Sequence, residues 1–342
     1  MSEEQPNVGG IVPKPPEPRP EAEIMAGWEG EAEKPAVSIC CITYNHEKFI
    51  KDALNSFLCQ VTHFPFEILI HDDASNDLTP EIIEEYASRY PRIIKPVLQK
   101  DNQFSKGISP NFSFNFPRAK GDYIALCEGD DFWISEDKLR KQWSELEREP
   151  DCVMCFHDAK KIDDDNRFIS DMKPGRSKFL TRFELAKAPF TPTLTRMFRN
   201  VGFPWRNETG LPAAMDVCLA AYLSQFGGAV YLGNDVVSAY RVHVGGAWSL
   251  KSKYQKIRLT VDSRLYIAEH FRSDRNDDLS GKASLYHMGS AVDEIYSGMP
   301  FLAVLNSFLK YVFFRAFWIP VKKVLWKILT LKKRWMLRKC DE

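Results

Sequence analysis

Residues 125–133 read ALCEGDDFW and place three carboxylates, Glu128, Asp130 and Asp131, directly after the apolar run 123–127. Carboxylates this close repel one another unless a positive charge lies between them. The stretch is therefore either a solvated turn or a cation site at the end of a buried strand.

Short apolar runs alternate with amphipathic segments in the first half of the chain. A helix is expected from Pro80, with Thr79 as its N-cap. Strands that alternate with helices indicate a doubly wound α/β fold with a mainly parallel sheet. The predicted strands, buried on both faces, are VSICCI (37–42), FEILIH (66–71), IIKPVLQ (93–99) and YIALCE (123–128), and a later one is CVMCFHDA (152–159).

Polar clusters follow three of these strands, where ligands bind in such sheets. TYNHE follows the first strand, HDDASND the second and EGDD the fourth. Acidic loops at one end of a sheet produce a negative cleft, which favours a divalent cation and, through it, phosphate. Neither G-x-G-x-x-G nor G-x-x-x-x-G-K-[ST] occurs, which argues against Rossmann dehydrogenases and P-loop enzymes.

The composition is that of a globular chain, with 342 residues, 44% of them hydrophobic, and a formal net charge of zero. The start of the chain lacks the pattern of a signal peptide, which favours a cytoplasmic protein whose cysteines are buried free thiols. The predicted parts are a flexible Pro- and Glu-rich leader (1–35), the α/β domain (36–250), a helical extension (251–297) and a basic amphipathic tail (298–342).

The charged residues over most of the tail are basic: residues 301–340 contain ten Lys or Arg residues and no Asp or Glu. Trp318, Trp326 and Trp335 lie among the basic residues, a pattern typical of a helix in an anionic membrane surface. The prediction is peripheral attachment to the inner face of the cell membrane, and the alternative is a helix packed on the domain. No nucleic-acid-binding motif accompanies the tail, so nucleic acid is not an expected partner.

Several stretches together resemble one family: VSICCITYNHEKFIKDALNSFLCQ, FEILIHDDASNDLTPEII, AKGDYIALCEGDDFW, and MDVCLAAYLSQFG with SAYRVHVGGAWS. They resemble the family 2 glycosyltransferases of GT-A fold, which build bacterial surface polysaccharides. The resemblance implies inverting, metal-dependent transfer of a sugar from a UDP-sugar to a hydroxyl of a lipid-linked saccharide or surface-polysaccharide precursor. It implies Mn²⁺ or Mg²⁺ as the cofactor.

The resemblance also implies a nucleotide site at the ends of the first two strands. Tyr44 matches the aromatic residue that stacks on the base, and Asp73 matches the acid that accepts a hydrogen bond from its ring N–H, with Asp72 beside it. Both roles suit uracil. From the residues alone, Tyr44 is equally an ordinary loop aromatic and Asp73 a turn-capping residue.

Glu128-Gly129-Asp130 occupies the position of the family's D-x-D motif, and Asp131 that of the acid that often follows. The resemblance implies that Asp130 or Asp131 ligates the metal and that the other contacts ribose. Glu128 departs from the commoner pattern, which puts direct ligation by Glu128 in doubt but leaves it in the nucleotide-sugar site. A solvated acidic turn is the alternative.

Asp216, near the start of the helix predicted at 215–228, matches the general base of inverting members of the family, and a helix cap is the alternative. His243 matches a C-terminal histidine that contributes to the metal or the diphosphate, and a structural histidine is the alternative. Arg241 is placed to neutralise phosphate charge. On an alternating strand, residues 241 and 243 share a face.

Two other functions fit parts of this pattern. A metal-dependent nucleotidyltransferase has a similar sheet and acidic site, but it ordinarily carries a Gly-rich loop after the first strand, which TYNHEKF lacks. An inactive member that binds a nucleotide-sugar at the membrane, or that merely scaffolds a membrane complex, needs no catalytic base. The chain nevertheless keeps Asp130, Asp131, Asp216 and His243 together, which favours an enzyme.

Overall fold

The computed structural model describes residues 10–174, 177–204, 211–212, 214–246 and 251–270, and the pairs 282–283, 286–287 and 289–290. The elements named below lie within the unit formed by residues 1–288. The tail predicted for residues 298–342 and most of the helical extension after His270 lie outside the described residues. None of the described helices combines the length and apolar composition that a membrane span requires.

Most of the strands belong to one large sheet. The strands are β1 Val37–Thr43, β2 Phe66–Asp72, β3 Ile94–Leu98, β4 Tyr123–Leu126, β5 Phe132–Trp133, β6 Cys152–Phe156, β7 Asp158–Ile162, β8 Phe168–Met172, β9 Phe179–Leu180, β10 Met197–Arg199, β11 Gly228–Tyr231 and β12 Val237–Arg241. Eight of them pair in the order β3-β2-β1-β4-β10-β6-β11-β9. β1 is parallel to β2 and β4, β2 to β3, and β6 to β11, whereas β10 and β9 are antiparallel to their neighbours. The predicted mainly parallel α/β fold is confirmed.

Helices cover this sheet. They are α1 Glu21–Met25, α2 Ile50–Leu58, α3 Thr79–Arg89, α4 Lys138–Arg148, α5 Arg182–Ala186, α6 Met215–Leu223 and α7 Lys253–His270. The predicted start of α3 is wrong by one residue, because Leu78 occupies the capping position and Thr79 is already helical. Thr79 Oγ1 instead accepts a hydrogen bond from the His46 backbone N–H at 2.9 Å. The predicted buried thiols are confirmed at residues 40, 41, 127, 152, 155 and 218.

The remaining strands form a second sheet, in the order β5-β12-β7-β8, which the sequence does not predict. Only His157 separates β6 from β7, and β11 leads on to β12. The parallel pair of β6 and β11 in the large sheet therefore continues as the parallel pair of β7 and β12 in the second sheet. This continuation brings the end of β12 to the acidic loop that follows β4.

Residues 10–35 differ from the flexible leader that their composition predicts, because they pack against the domain. Ile24, on α1, is 3% exposed and belongs to the main hydrophobic core. Glu21 accepts a hydrogen bond from the backbone N–H of Arg92 at 2.7 Å. A few anchors thus hold a segment whose average composition indicates disorder.

We expect Ile24→Ala to lower the free energy of unfolding by about 2–5 kcal/mol, because it leaves a cavity in the core. Urea unfolding followed by tryptophan fluorescence measures this change. The control is Ile11→Ala, since Ile11 is 71% exposed and a surface truncation should change stability by no more than about 0.5 kcal/mol. Equal stability of the two variants would contradict the packing of residues 10–35.

Candidate active site

The loops after β1, β2 and β4 meet at one edge of the large sheet, because β1 lies between the other two strands and is parallel to both. Two backbone hydrogen bonds of 2.9 Å join these loops, from Gly129 N–H to the Ile42 carbonyl and from Asp73 N–H to the Thr43 carbonyl. A cavity of about 330 Å³ lies over them. Its lining includes Tyr44, His46, Asp73, Glu128, Asp130 and Asp216.

Asp130 lies between two imidazoles. Its Oδ2 atom is 3.0 Å from Nε2 of His243 and 3.7 Å from Nε2 of His46. One potential ligand atom from each of the three residues lies within 4.8 Å of the others. The sequence predicts Asp130 and His243 as metal ligands; it does not predict His46, although TYNHE is one of the polar clusters that follow strands. A carboxylate and two imidazoles this close are a donor set for a divalent cation.

The protonation states of this cluster suit a cation. Burial lowers the pKa of His46 and so favours its neutral form. Burial opposes ionisation of Asp130, but its interaction with His46 and the hydrogen bond to His243 outweigh it, so the pKa of Asp130 is below its usual value. Neutral imidazole and ionised carboxylate are the forms that bind metals. Glu128 differs, because burial and the neighbouring carboxylates of Asp130 and Asp216 raise its pKa to about 8.

Gly129 allows the acidic loop to lie directly against β1. A Cβ atom at this position would be 2.6 Å from Oγ1 and 2.8 Å from Cβ of Thr43, and 3.0 Å from Cδ1 of Ile50. Thr43 Oγ1 is itself 3.1 Å from Nδ1 of His46. A side chain at residue 129 would therefore displace the group that orients His46.

Asp131 is directed into the protein and away from the cavity. Its Oδ1 atom accepts a hydrogen bond of 2.7 Å from the backbone N–H of Arg241. Burial raises the pKa of Asp131 well above its usual value. The predicted metal ligation by Asp131 does not fit this position, since Asp131 anchors the loop to the end of β12.

Arg241 lies behind the same loop. Its guanidinium, 1% exposed, pairs with Oδ2 of Asp52 at 3.0 Å and lies over the ring of Phe49. Its Nε donates to the backbone carbonyl of Asp130 at 2.9 Å. The predicted contact of Arg241 with phosphate does not fit this geometry, because the guanidinium already holds the acidic loop from within the protein.

Two exposed aromatic residues line the cavity near the ends of β1 and β2. Tyr44 is 45% exposed and Phe104 is 47% exposed, and both line the cavity. Asp73 accepts hydrogen bonds from the backbone N–H groups of Gln103 at 2.7 Å and Phe104 at 3.0 Å. Asp73 therefore fixes the loop that carries Phe104. The sequence predicts Tyr44 and Asp73 here but gives no signal for Phe104.

Asp72 is the last residue of β2 and is 1% exposed. Its carboxylate accepts a hydrogen bond of 3.0 Å from the backbone N–H of Ser75. The predicted nucleotide contact of Asp72 does not fit, because its side chain closes the turn that begins with Asp73.

Asp216 lies in the first turn of α6 with its side chain 46% exposed, and it lines the cavity. Ala214 occupies the capping position, so the helix-cap alternative for Asp216 does not apply. The guanidinium of Arg196, 2% exposed, donates to the Asp216 carbonyl at 2.9 Å and lies 3.7 Å from its Oδ2 atom. Arg196 precedes β10 in a region where the sequence shows no clear periodicity, so it was not predicted. It fixes the position of Asp216 at the cavity wall.

Comparison with known proteins identifies the domain. Residues 38–203 match the model of glycosyl transferase family 2. An uncharacterized protein of Mycobacterium tuberculosis is 36% identical over 215 residues, which are 62% of this chain and 60% of the relative. An uncharacterized glycosyltransferase of Methanocaldococcus jannaschii is 32% identical over 151 residues, which are 44% of this chain and 50% of the relative. Residues 38–203 form a family 2 glycosyltransferase domain, as the sequence motifs predict.

Solved structures confirm the fold. Staphylococcus aureus TarS, residues 1–349, in complex with UDP-GlcNAc, has a TM-score of 0.54 and 17% sequence identity, and the match covers 76% of this chain and 72% of that one. The complex of the same protein with UDP has a TM-score of 0.51. The predicted GT-A fold is therefore confirmed.

We expect Gly129→Ala to lower the free energy of unfolding by about 1–3 kcal/mol, since the new methyl group overlaps Thr43. Urea unfolding measures the change. Gly10→Ala is the matched control, because nothing lies within 4 Å of a Cβ atom there. Wild-type stability of Gly129→Ala would contradict the close approach of the loop to β1.

Proposed function

We propose that this protein is a metal-dependent, inverting glycosyltransferase that moves a sugar from a UDP-sugar to a hydroxyl of a saccharide acceptor. The observation that carries the proposal is the presence, at one cavity, of an exposed aromatic residue, an accessible carboxylate and a metal-ligand set. Tyr44 and Asp216 line the cavity, as do His46 and Asp130 of the metal-ligand set. The third member of the set, His243, contacts Asp130. The chain spans 60% of the mycobacterial relative described above. The proposed activity therefore rests on the site of this chain and not on that relative.

Asp130, His46 and His243 would hold the metal. A donor set with two imidazoles fits Mn²⁺ better than Mg²⁺, which prefers oxygen ligands and near-ideal octahedral geometry. When bound, the cation would offset the charge of the leaving diphosphate. We do not assign Asp131 to the metal, because its carboxylate is bonded to the backbone of Arg241.

Tyr44 and Asp73 would bind the uracil base. Tyr44 offers an exposed ring on which the base can stack. Asp73 accepts two backbone N–H groups and lies 3.3 Å from Nε2 of His71, and an ionised carboxylate has about four acceptor sites. It therefore retains the capacity to accept the ring N–H of uracil. Phe104 would enclose the base from the other side of the loop that Asp73 fixes.

Asp216 would act as the general base. It would remove the proton of the acceptor hydroxyl as that oxygen attacks the anomeric carbon, while the bond from this carbon to the diphosphate breaks and the diphosphate takes the electron pair. One displacement inverts the configuration and needs no covalent intermediate. Arg196 holds Asp216 in place.

Calorimetric titration with UDP, GDP, CDP and dTDP, each with Mn²⁺ and with EDTA, tests the proposal. We expect UDP to bind with Mn²⁺ and to lose at least about tenfold in affinity with EDTA, a change of about 1.4 kcal/mol. Stronger binding of another nucleotide would contradict the UDP assignment. Failure of all four to bind would contradict the enzyme and favour a scaffold.

Two variants separate metal binding from catalysis in the same experiment. Asp130→Ala should abolish the effect of Mn²⁺ on UDP binding, because it removes the central ligand. Asp216→Asn should retain metal-dependent UDP binding and lose about 10²–10⁴-fold in transfer rate, measured as UDP release. Transfer at the wild-type rate by Asp216→Asn would show that another group is the base.

We further propose a lipid-linked acceptor at the inner face of the membrane, on the basis of the basic residues at 301–340. Deletion of residues 301–342 should release the protein from sedimenting vesicles that contain anionic lipid. Vesicles of neutral lipid alone serve as the control. A truncated protein that still sediments with anionic vesicles would contradict the attachment.

A further inference from the structure

The candidate site residues lie along the cavity in the same order as the strands of the sheet. Strands β2, β1, β4 and β10 are successive neighbours in the sheet. Asp73 and Tyr44 lie at the ends of β2 and β1, Asp130 follows β4, and Asp216 lies on the side of β10, where Arg196 contacts it. If the base lies at Tyr44 and the diphosphate at Asp130, the transferred sugar lies between β4 and α6. This placement rests on the proposed function.

The cavity wall at this sugar end is largely apolar, although Thr193 also lines the cavity. The five residues that form this wall, named below, are almost completely buried, with exposed fractions between 2% and 7%. Phe116 packs on Phe198 of β10, with ring centroids 5.9 Å apart, and on Phe203 at 4.6 Å. The wall is therefore part of the packed core. Its residues are Phe112, Phe116, Leu126, Met215 and Leu219.

The ionisable residues around this wall are acidic. Glu128, Asp130 and Asp216 line this part of the cavity, and none of the described residues that line it is Lys or Arg. The guanidinium of Arg196 donates to the carbonyls of Thr191 and Asp216 at 3.0 and 2.9 Å, and it lies beside the carboxylate of Asp216. Its positive charge is therefore already paired.

We propose that the transferred sugar is uncharged and carries a methyl group, in an N-acetyl or a 6-deoxy substituent, which packs on this apolar wall. A hydroxyl placed against the wall would lose its hydrogen bonds to water without a replacement. A carboxylate, as in a uronic acid, would in addition face the carboxylates of Asp130 and Asp216, with no Lys or Arg among the described residues that line the cavity.

Titration of the full chain with a panel of UDP-sugars in the presence of Mn²⁺ tests this inference. The panel is UDP, UDP-glucose, UDP-N-acetylglucosamine, UDP-rhamnose and UDP-glucuronic acid. We expect at least one of the two methyl-bearing donors to bind about tenfold or more tightly than UDP-glucose, the usual effect of one methyl group in an apolar pocket. Comparison of UDP-N-acetylglucosamine with UDP-rhamnose identifies the substituent. UDP-glucuronic acid should bind more weakly than UDP-glucose.

The outcomes separate this inference from the function on which it rests. If UDP binds but UDP-glucose binds as tightly as both methyl-bearing donors, the inference is wrong and the nucleotide site stands. Binding of UDP-glucuronic acid equal to or tighter than that of UDP-glucose also overturns it. If UDP itself does not bind, the proposed function and the inference both fail.

Met215 offers a matched pair of variants. Met215→Gln keeps the shape of the side chain but adds hydrogen-bonding groups, so it should reduce the preference for the methyl-bearing donor about tenfold relative to UDP-glucose. Met215→Leu keeps the wall apolar and should preserve the preference. An unchanged preference in both variants would show that Met215 does not contact the substituent. The donor panel on the unaltered protein does not depend on how either variant folds.

Discussion

Repulsion between carboxylates at the end of β4 is the constraint on which the rest of the site depends. Glu128, Asp130 and Asp131 lie within four consecutive residues, and burial strengthens their repulsion because less water screens it. Each carboxylate is accommodated in a different way. Asp130 lies between two histidines, Asp131 accepts a backbone N–H, and Glu128 has a raised pKa that favours its protonated form near neutrality. The acidic loop is thus stabilised by contacts with residues from other parts of the chain.

Most of these contacts come from the second sheet and the residues that follow it. β12 ends at Arg241, whose backbone holds Asp131 and whose side chain holds the carbonyl of Asp130. His243 follows two residues later and reaches the Asp130 carboxylate. The guanidinium of Arg241 is buried, and it is balanced by Asp52 on α2. A buried arginine without such a partner would be costly, so Asp52 stabilises the loop without contacting it.

Local patterns in the sequence predict the large sheet and the position of the acidic loop, because apolar runs and the polar clusters after them are features of adjacent residues. The pattern also indicates which residues share a face of a strand, but it does not show what that face contacts. Arg241 was therefore expected in the cavity, whereas it is buried behind the loop. Arg196 and Phe104 lie in segments without periodicity, and their roles arise from contacts with distant residues. Composition wrongly predicted that residues 10–35 are flexible. An average over the segment does not reveal single residues, such as Ile24, that pack into the core.

The N-terminal segment is connected to the acidic loop through these contacts. Val12 N–H donates to the Asn166 carbonyl, and Lys14 lies 3.4 Å from Asp52. Asn166 and Asp52 are both partners of Arg241, which is 189 positions after Asp52 in the chain. This segment precedes the domain in the chain and thus completes its contacts only when one of the last parts of the domain is available. The strands that carry the acidic residues can pair early, but the loop between them acquires its full set of partners at the end of folding.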